Sequence, residues 1–194
     1  FTFVFSRYVR FETKGIPYPI FAYCGLLPWT FFAGGLGSAI GSLVSNSSLV
    51  TKIYFPREVF PLSSIMARFV DFCIASMILV GLMLFYKVPL HSTLLLVTMI
   101  ILIQLILMVG LGLILSLANL FFRDVKIIFE VFILLWMFIT PVIYPMQAMG
   151  SKLERVLLLN PMTPIINSYR WLILEGRLPE LNQLMYSIVI SLVL

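Results

Sequence analysis

Acid–base or metal chemistry in this 194-residue chain has little to work with: eight Asp and Glu side chains, one His and two Cys. Only three ionisable groups, Arg68, Asp71 and Glu130, sit within or beside long apolar runs. An active site needs an acid, a base, a nucleophile or a metal held in mutual reach, and these three do not make such a set. His91, just past Lys87 and Pro89, reads as a loop residue. Cys24 and Cys73 lie in apolar runs without disulfide or metal-ligand spacing, so they read as small buried apolar residues. Gly34, Gly35, Gly37 and Gly41 are not followed by the Lys-Ser/Thr that completes a phosphate loop. No catalytic residue and no metal site is therefore assigned. Arg68 and Asp71, three residues apart, share one helix face. They form either a snorkelling pair near the membrane surface or a contact in a gate or pathway, and Glu130 is a rival partner for Arg68.

The elements that carry these groups are membrane spans. Hydrophobic residues make up 61% of the chain and charged ones 11%, with a mean hydropathy of +1.09; soluble domains are about 25% charged. Uncharged runs without polar alternation exclude a β-barrel and predict an all-α bundle. A span needs about 20 apolar residues, which allows six or so spans in this length. The net charge of +5 is spread singly, which excludes a nucleic-acid surface. The chain opens at Phe1 and stops at Leu194 inside an apolar run, and is expected to be a fragment.

Phe1 to Phe5 reads as the end of a first span and Ser6 to Lys14 as a polar loop. The second span is expected from Ile20 to Ser45, kinked at Pro28, with Gly37 and Gly41 as a small-xxx-small pair for close helix packing within the subunit. The third must start near Leu62, because Phe72 to Tyr86 alone gives only about 22 Å of helix. The fourth covers Ser92 to Leu120, loosened by Gly110 and Gly112, and the fifth Ile127 to Tyr144, with Glu130 in its first turn. Residues 145–180 bring charges back around a proline-broken apolar run, and read as two short helices dipping into the membrane. Leu181 onward opens a sixth span.

Between the second and third spans lies Asn46 to Pro61, the one short polar interruption there. Asn46, Ser47 and Ser48 are cap residues, Leu49 to Phe55 gives two turns of helix, and Pro56 stops it. A short crosswise helix of this kind can be held by another protein at the membrane surface, or can be a plain interfacial connector. Aromatic residues are 14% of the chain. Interfacial belts account for most of them; Phe132 and Trp136, one helical turn apart, are candidates to stack on sugar faces in a channel.

Gly25-Leu-Leu-Pro-Trp-Thr-Phe-Phe32, Lys52-Ile-Tyr-Phe-Pro-Arg-Glu58, Phe122-Arg-Asp-Val125, Thr140-Pro-Val-Ile-Tyr-Pro145, Asn160-Pro161 and Tyr169-Arg170 occur in that order. Together they resemble the signature stretches of type-2 ABC exporter permeases, in the branch that exports O-antigen, capsule or teichoic acid. The resemblance covers essentially the whole chain and is less specific for the polymer than for the permease. It implies one transmembrane domain over residues 1–194, six spans, a homodimer in the bacterial inner membrane, and separate ATPase subunits that hold ATP and magnesium while this chain binds no cofactor. It also implies that residues 46–61 form a cytoplasmic coupling segment. The residues implied to meet the ATPase are Leu49, Val50, Lys52, Ile53, Tyr54, Phe55, Arg57 and Glu58, together with Arg123 and Asp124. Residues 145–180 would form a periplasmic re-entrant gate. Channel or gate candidates are Trp29, Phe32, Arg68, Asp71, Glu130, Phe132, Trp136, Tyr169 and Arg170. The implied partners are the ATPase, a second copy of the chain, the lipid-linked polymer and membrane lipid.

The implied topology sets Lys52, Arg57, Arg123 and Lys126 inside against eight basic residues outside, which runs counter to the positive-inside tendency. The resemblance is followed here, because the missing N-terminal segment is cytoplasmic in this family and a basic outer face suits an anionic polymer. Labelling of a cysteine placed at Ser47 from outside intact cells would reverse the orientation. Two alternatives remain at this point: a permease of the same fold for a small lipid or drug, and a membrane-embedded enzyme of glycolipid assembly that depends on Asp71 or Glu130.

Overall fold

The computed structural model describes residues 17–47, 56–89, 91–144 and 157–193. Among them every regular element is helical: α1 (Tyr18–Ser45), α2 (Val59–Phe85), α3 (Val97–Phe121, led in by a 3-10 turn over Ser92–Leu96), α4 (Val125–Ile139), α5 (Met162–Arg170, running on into a π turn over Trp171–Glu175) and α6 (Leu181–Val193). Tyr18–Ser45, Val59–Phe85 and Ser92–Phe121 are each long and apolar enough to cross a membrane.

The bundle is built around α1, which packs against α2, α3, α4 and α5. Pro19 falls in its first turn, where no N–H is missed. At its other end the Asn46 side-chain amide donates to the Ser42 carbonyl at 2.8 Å. Pro28 cannot donate to the turn before it, and the carbonyls beside it take side-chain donors: Thr30 Oγ1 to Leu27 O at 3.0 Å, and Gln104 Nε2 from α3 to Pro28 O at 2.8 Å. The close approach of neighbouring helices falls at Gly35 and Gly112, not at the expected Gly37 and Gly41. A Cβ on Gly35 would lie inside the Met108 Cε methyl, and one on Gly112 would meet Ile65 Cδ1 at 3.1 Å and Ala39 Cβ at 3.4 Å. A Cβ on Gly37 would meet nothing within 4 Å, and the nearest atom at Gly41 is the Lys126 ammonium at 3.9 Å. Gly112 is thus a packing position in an unbroken helix, not a point of loosening.

α2 begins one turn earlier than expected, with Pro61 in its first turn. It buries one stripe, Pro61, Ile65, Phe72, Leu79 and Met83. Its other faces stay apolar and exposed at Met66, Val70, Ile74, Met77 and Ile78. Cys24 is buried as expected, but Cys73 lies on that exposed surface. α2 closes on Lys87 with φ +55°, a left-handed conformation that glycine adopts more readily.

α4 starts two residues before the expected span and stops at Ile139, five short of Tyr144, which puts Glu130 in its second turn. The reason is local. Pro141 disfavours helical backbone at the residue before it, and Thr140 is extended at φ −84°, ψ 135°. Of the region expected to hold two short helices, residues 145–156 lie outside the described residues; Leu157 and Leu158 are helical, and α5 with its π extension follows. Pro161 caps α5 and Pro164 sits in its first turn, so these prolines start the helix instead of breaking it. Every residue of α5 is buried. Gly176, at φ +62°, ends the π turn, and a Cβ there would press on the His91 ring, with Cγ at 2.6 Å. α6 lies on α3 and α5, with Ser187 Oγ donating to Pro161 O at 2.9 Å and Tyr186 OH to Leu159 O at 2.7 Å.

Candidate functional site

Arg170, at the end of α5, is 5% exposed, and among the described residues no carboxylate pairs with it. Its guanidinium instead donates to backbone carbonyls of the turn after α4: Nη1 to Pro141 O at 2.8 Å and Tyr144 O at 3.4 Å, and Nη2 to Val142 O in a short bond. Those carbonyls lie beyond the end of α4, outside its ladder of helical hydrogen bonds. The Phe21 ring covers the guanidinium, with its centroid 3.9 Å from Cζ. Gly25 forms the floor; a Cβ there would clash with Val142 O and lie 2.6 Å from Nη2. The fork of a guanidinium fits three diverging acceptors better than an ammonium would. One side chain thereby ties α5, α1 and the end of α4 together.

Beside it, the Tyr169 hydroxyl donates to Gln104 Oε1 at 3.0 Å, and the Gln104 amide donates to Pro28 O. Both side chains are buried, so each polar atom in this relay needs the next. The turn after α4 is braced from a third side. Asn160 Nδ2 donates to Thr140 Oγ1 at 2.7 Å, while its side-chain Oδ1 accepts from Met162 N, the first residue of α5, at 3.0 Å.

A second polar pin lies at the opposite end of α4. Asn119 of α3 donates to Ile40 O of α1 at 3.0 Å and accepts from Lys126 N at 3.2 Å. It fixes the turn carrying Arg123 and Asp124, both exposed, at the same end of the bundle as the C-terminus of α1. Arg57 and Glu58 are exposed in the turn that leads into α2. Leu49, Val50, Lys52, Ile53, Tyr54 and Phe55 lie outside the described residues.

Arg68 pairs with Asp71, Nη1 to Oδ2 at 3.3 Å, and also donates from Nε to Ser38 Oγ of α1 at 3.0 Å. Glu130 is exposed on α4 and is not its partner. The pair edges a cleft of about 190 Å³ between α1 and α2, walled by Phe31, Phe72, Thr30 and Gly34.

The aromatic candidates divide by burial. Trp136 makes edge contacts with Phe32 at 5.3 Å and Trp29 at 6.3 Å, both buried residues of α1, and packs on Phe132 at 5.2 Å. It is a packing residue of the bundle. Phe132 is 52% exposed, so of the pair it is the one with a surface to offer.

Tyr169 and Arg170 are legible only through the family motif; Phe21, Gly25 and Gln104, which surround them, and Asn119 at the other end of α4 are not among the expected site residues. Gln104 and Asn119 did carry a signal. They are the amides within the long uncharged run of α3, and polar residues inside a membrane helix face another helix far more often than lipid.

The chain is similar to known proteins along most of its length. The ABC-2 type transporter family matches residues 1–174. The O-antigen export system permease protein RfbA of Myxococcus xanthus is 32% identical over 184 residues, which is 93% of this chain and 71% of that protein. Two proteins of the same description from Klebsiella pneumoniae are each 31% identical, covering 91% and 90% of this chain and 68% and 67% of their own lengths. An all-helical bundle with membrane-length apolar helices, matched from residue 1 to residue 174, belongs to the ABC-2 type transporter family as a membrane subunit.

Proposed function

We infer that this chain is the permease subunit of an exporter of cell-surface polysaccharide of the O-antigen type, in the bacterial inner membrane. The observation that carries the reading is the identity to O-antigen export permeases along nearly the whole chain. The work of transport then comes from a separate ATPase subunit that holds ATP and magnesium, and two copies of the permease enclose the path of the polymer. Residues 46–61 act as the coupling segment, with Arg123 and Asp124 beside it, and residues 145–180 close the outer side as a re-entrant gate in a six-span subunit.

The pins around α4 support such a reading. A helix fixed to α1 at its start by Asn119 and to α5 at its end by Arg170 passes on a push applied at the Arg123–Asp124 turn. The test uses the full-length protein co-expressed with the ATPase encoded beside its gene, against Lys52→Glu combined with Arg57→Glu. Wild type is expected to co-purify with the ATPase and to export polymer, and the double variant to lose or uncouple the ATPase. A wild-type permease that holds no ATPase removes the motor from this reading and brings the glycolipid-assembly enzyme forward.

A further inference from the structure

We propose that the cleft edged by Arg68 and Asp71 is a binding site for a neutral, hydroxyl-bearing ligand, one sugar unit of the exported chain; this rests on the polysaccharide-export reading. Both charges stand in a helix of membrane-spanning length, and the exposed residues around them on α2, Met66, Val70 and Ile74, are apolar. Polar groups at such a position face a partner, water or a polar ligand, because lipid cannot satisfy them.

The hydrogen bonding of the pair is incomplete in a specific way. Arg68 uses Nε on Ser38 and Nη1 on Asp71 Oδ2, which leaves Nη2 as a spare donor; Asp71 Oδ1 is a spare acceptor among the described residues. The side chains are 50% and 64% exposed, so both spare atoms are reachable. A free anion would be repelled by Asp71 and a free cation by Arg68. A donor and an acceptor side by side match vicinal hydroxyls, each of which both accepts and donates.

The remaining walls suit the apolar face of a sugar ring. Phe31 and Phe72 lie 4.9 Å apart along the cleft, and Thr30 adds a hydroxyl at its rim. Gly34 lines the cleft without a side chain, and a Cβ built there would meet Arg68 Cδ at 4.0 Å, an ordinary contact. The cleft volume of about 190 Å³ holds one ring and not a stretch of polymer.

The experiment places a benzophenone amino acid at Ala75, on the cleft wall, in the full-length permease with its ATPase in cells making polymer, and irradiates them. An adduct that carries glycan is expected, and Asp71→Asn or Gly34→Leu should reduce it at least tenfold while ATPase co-purification stays unchanged. Adducts with phospholipid alone, adducts with a second permease copy alone, or an adduct unaffected by either substitution would overturn the site. A swapped pair, Arg68→Asp with Asp71→Arg, that restores full export would make the two residues a helix clasp and overturn it as well. If wild-type cells export no polysaccharide, the functional reading itself falls, and that result is read independently of the crosslink.

Discussion

Replacing Arg170 by Met keeps the length and apolar stem of the side chain and removes its donors. The bonds to Pro141 O and Val142 O and a longer one to Tyr144 O are lost together with the contact to the Phe21 ring. Hydrogen bonds to a charged group contribute about 1.5–3 kcal/mol each in water-soluble proteins. Inside membranes the mean per interaction is nearer ~0.6 kcal/mol, because the unfolded chain in the micelle also finds partners. A buried acceptor left without its donor costs about 1–3 kcal/mol. These bounds place Arg170→Met at roughly 2–5 kcal/mol, and a central 3 kcal/mol lowers the folding equilibrium more than a hundredfold. Arg170→Lys keeps the charge but not the fork, and should cost about half as much. Gly25→Ala should cost roughly 1–3 kcal/mol by displacing the guanidinium from its floor. The assay is reversible SDS unfolding of the full-length protein in mixed micelles, followed by circular dichroism. If Arg170→Met unfolds within about 0.5 kcal/mol of wild type, a change expected of an unremarkable surface site, Arg170 is not what holds the end of α4.

Gln104→Leu should cost about 1–3 kcal/mol, because it strands the buried Tyr169 hydroxyl; adding Tyr169→Phe should recover part of that loss in a double-mutant cycle. Trp136→Ala should destabilise the subunit by roughly 3–5 kcal/mol through lost packing on Trp29 and Phe32. Phe132→Ala, with its ring half exposed, should leave assembly intact and lower only polymer export, measured as surface O-antigen; normal export would remove it from the path. Lys87→Gly should raise stability by about 1 kcal/mol, since the left-handed backbone at φ +55° is relieved in an exposed turn.

The amino-acid sequence carries the helices well, because uncharged runs bounded by Pro and Gly admit no other element at these lengths. The boundaries that slipped are those decided by a single backbone conformation. Thr140 ends α4 because Pro141 follows it, and hydropathy, which runs unbroken to Tyr144, is blind to that. The glycine contacts show a similar limit. A small-xxx-small spacing identifies a face that permits close approach, whereas the partner helix decides whether approach occurs; Met108 and Ile65 come in at Gly35 and Gly112 and nothing comes in at Gly37. In the site, Arg68 with Asp71 was legible from spacing along one helix. The Arg170 socket was not, since its acceptors are backbone atoms about 30 residues away, with no side-chain signature of their own.

α4 is the element on which these contacts converge. It buries only Phe129 fully, so the area it removes from its surroundings does little to fix its position. Its place is set at discrete points: Asn119 at the first turn, Trp136 against Trp29 and Phe32 in the middle, and the Arg170 carbonyl cluster with Asn160 on Thr140 just past the end. Three of the elements it is tied to, α1, α3 and α5, also pack on one another. A helix held by area slides gradually, whereas one held by directional bonds stays in register until those bonds exchange. Fifteen residues of helix give about 22 Å, and the Arg170 guanidinium holds the turn at 140–144 against α5. On the proposed coupling role of the Arg123–Asp124 turn, a displacement there would reach residues 140–144 along a stiff rod, and α5 would be the first element to yield. Arg170→Met should separate the two ends: ATPase turnover persists while export falls, which a helix held only by packing would not produce.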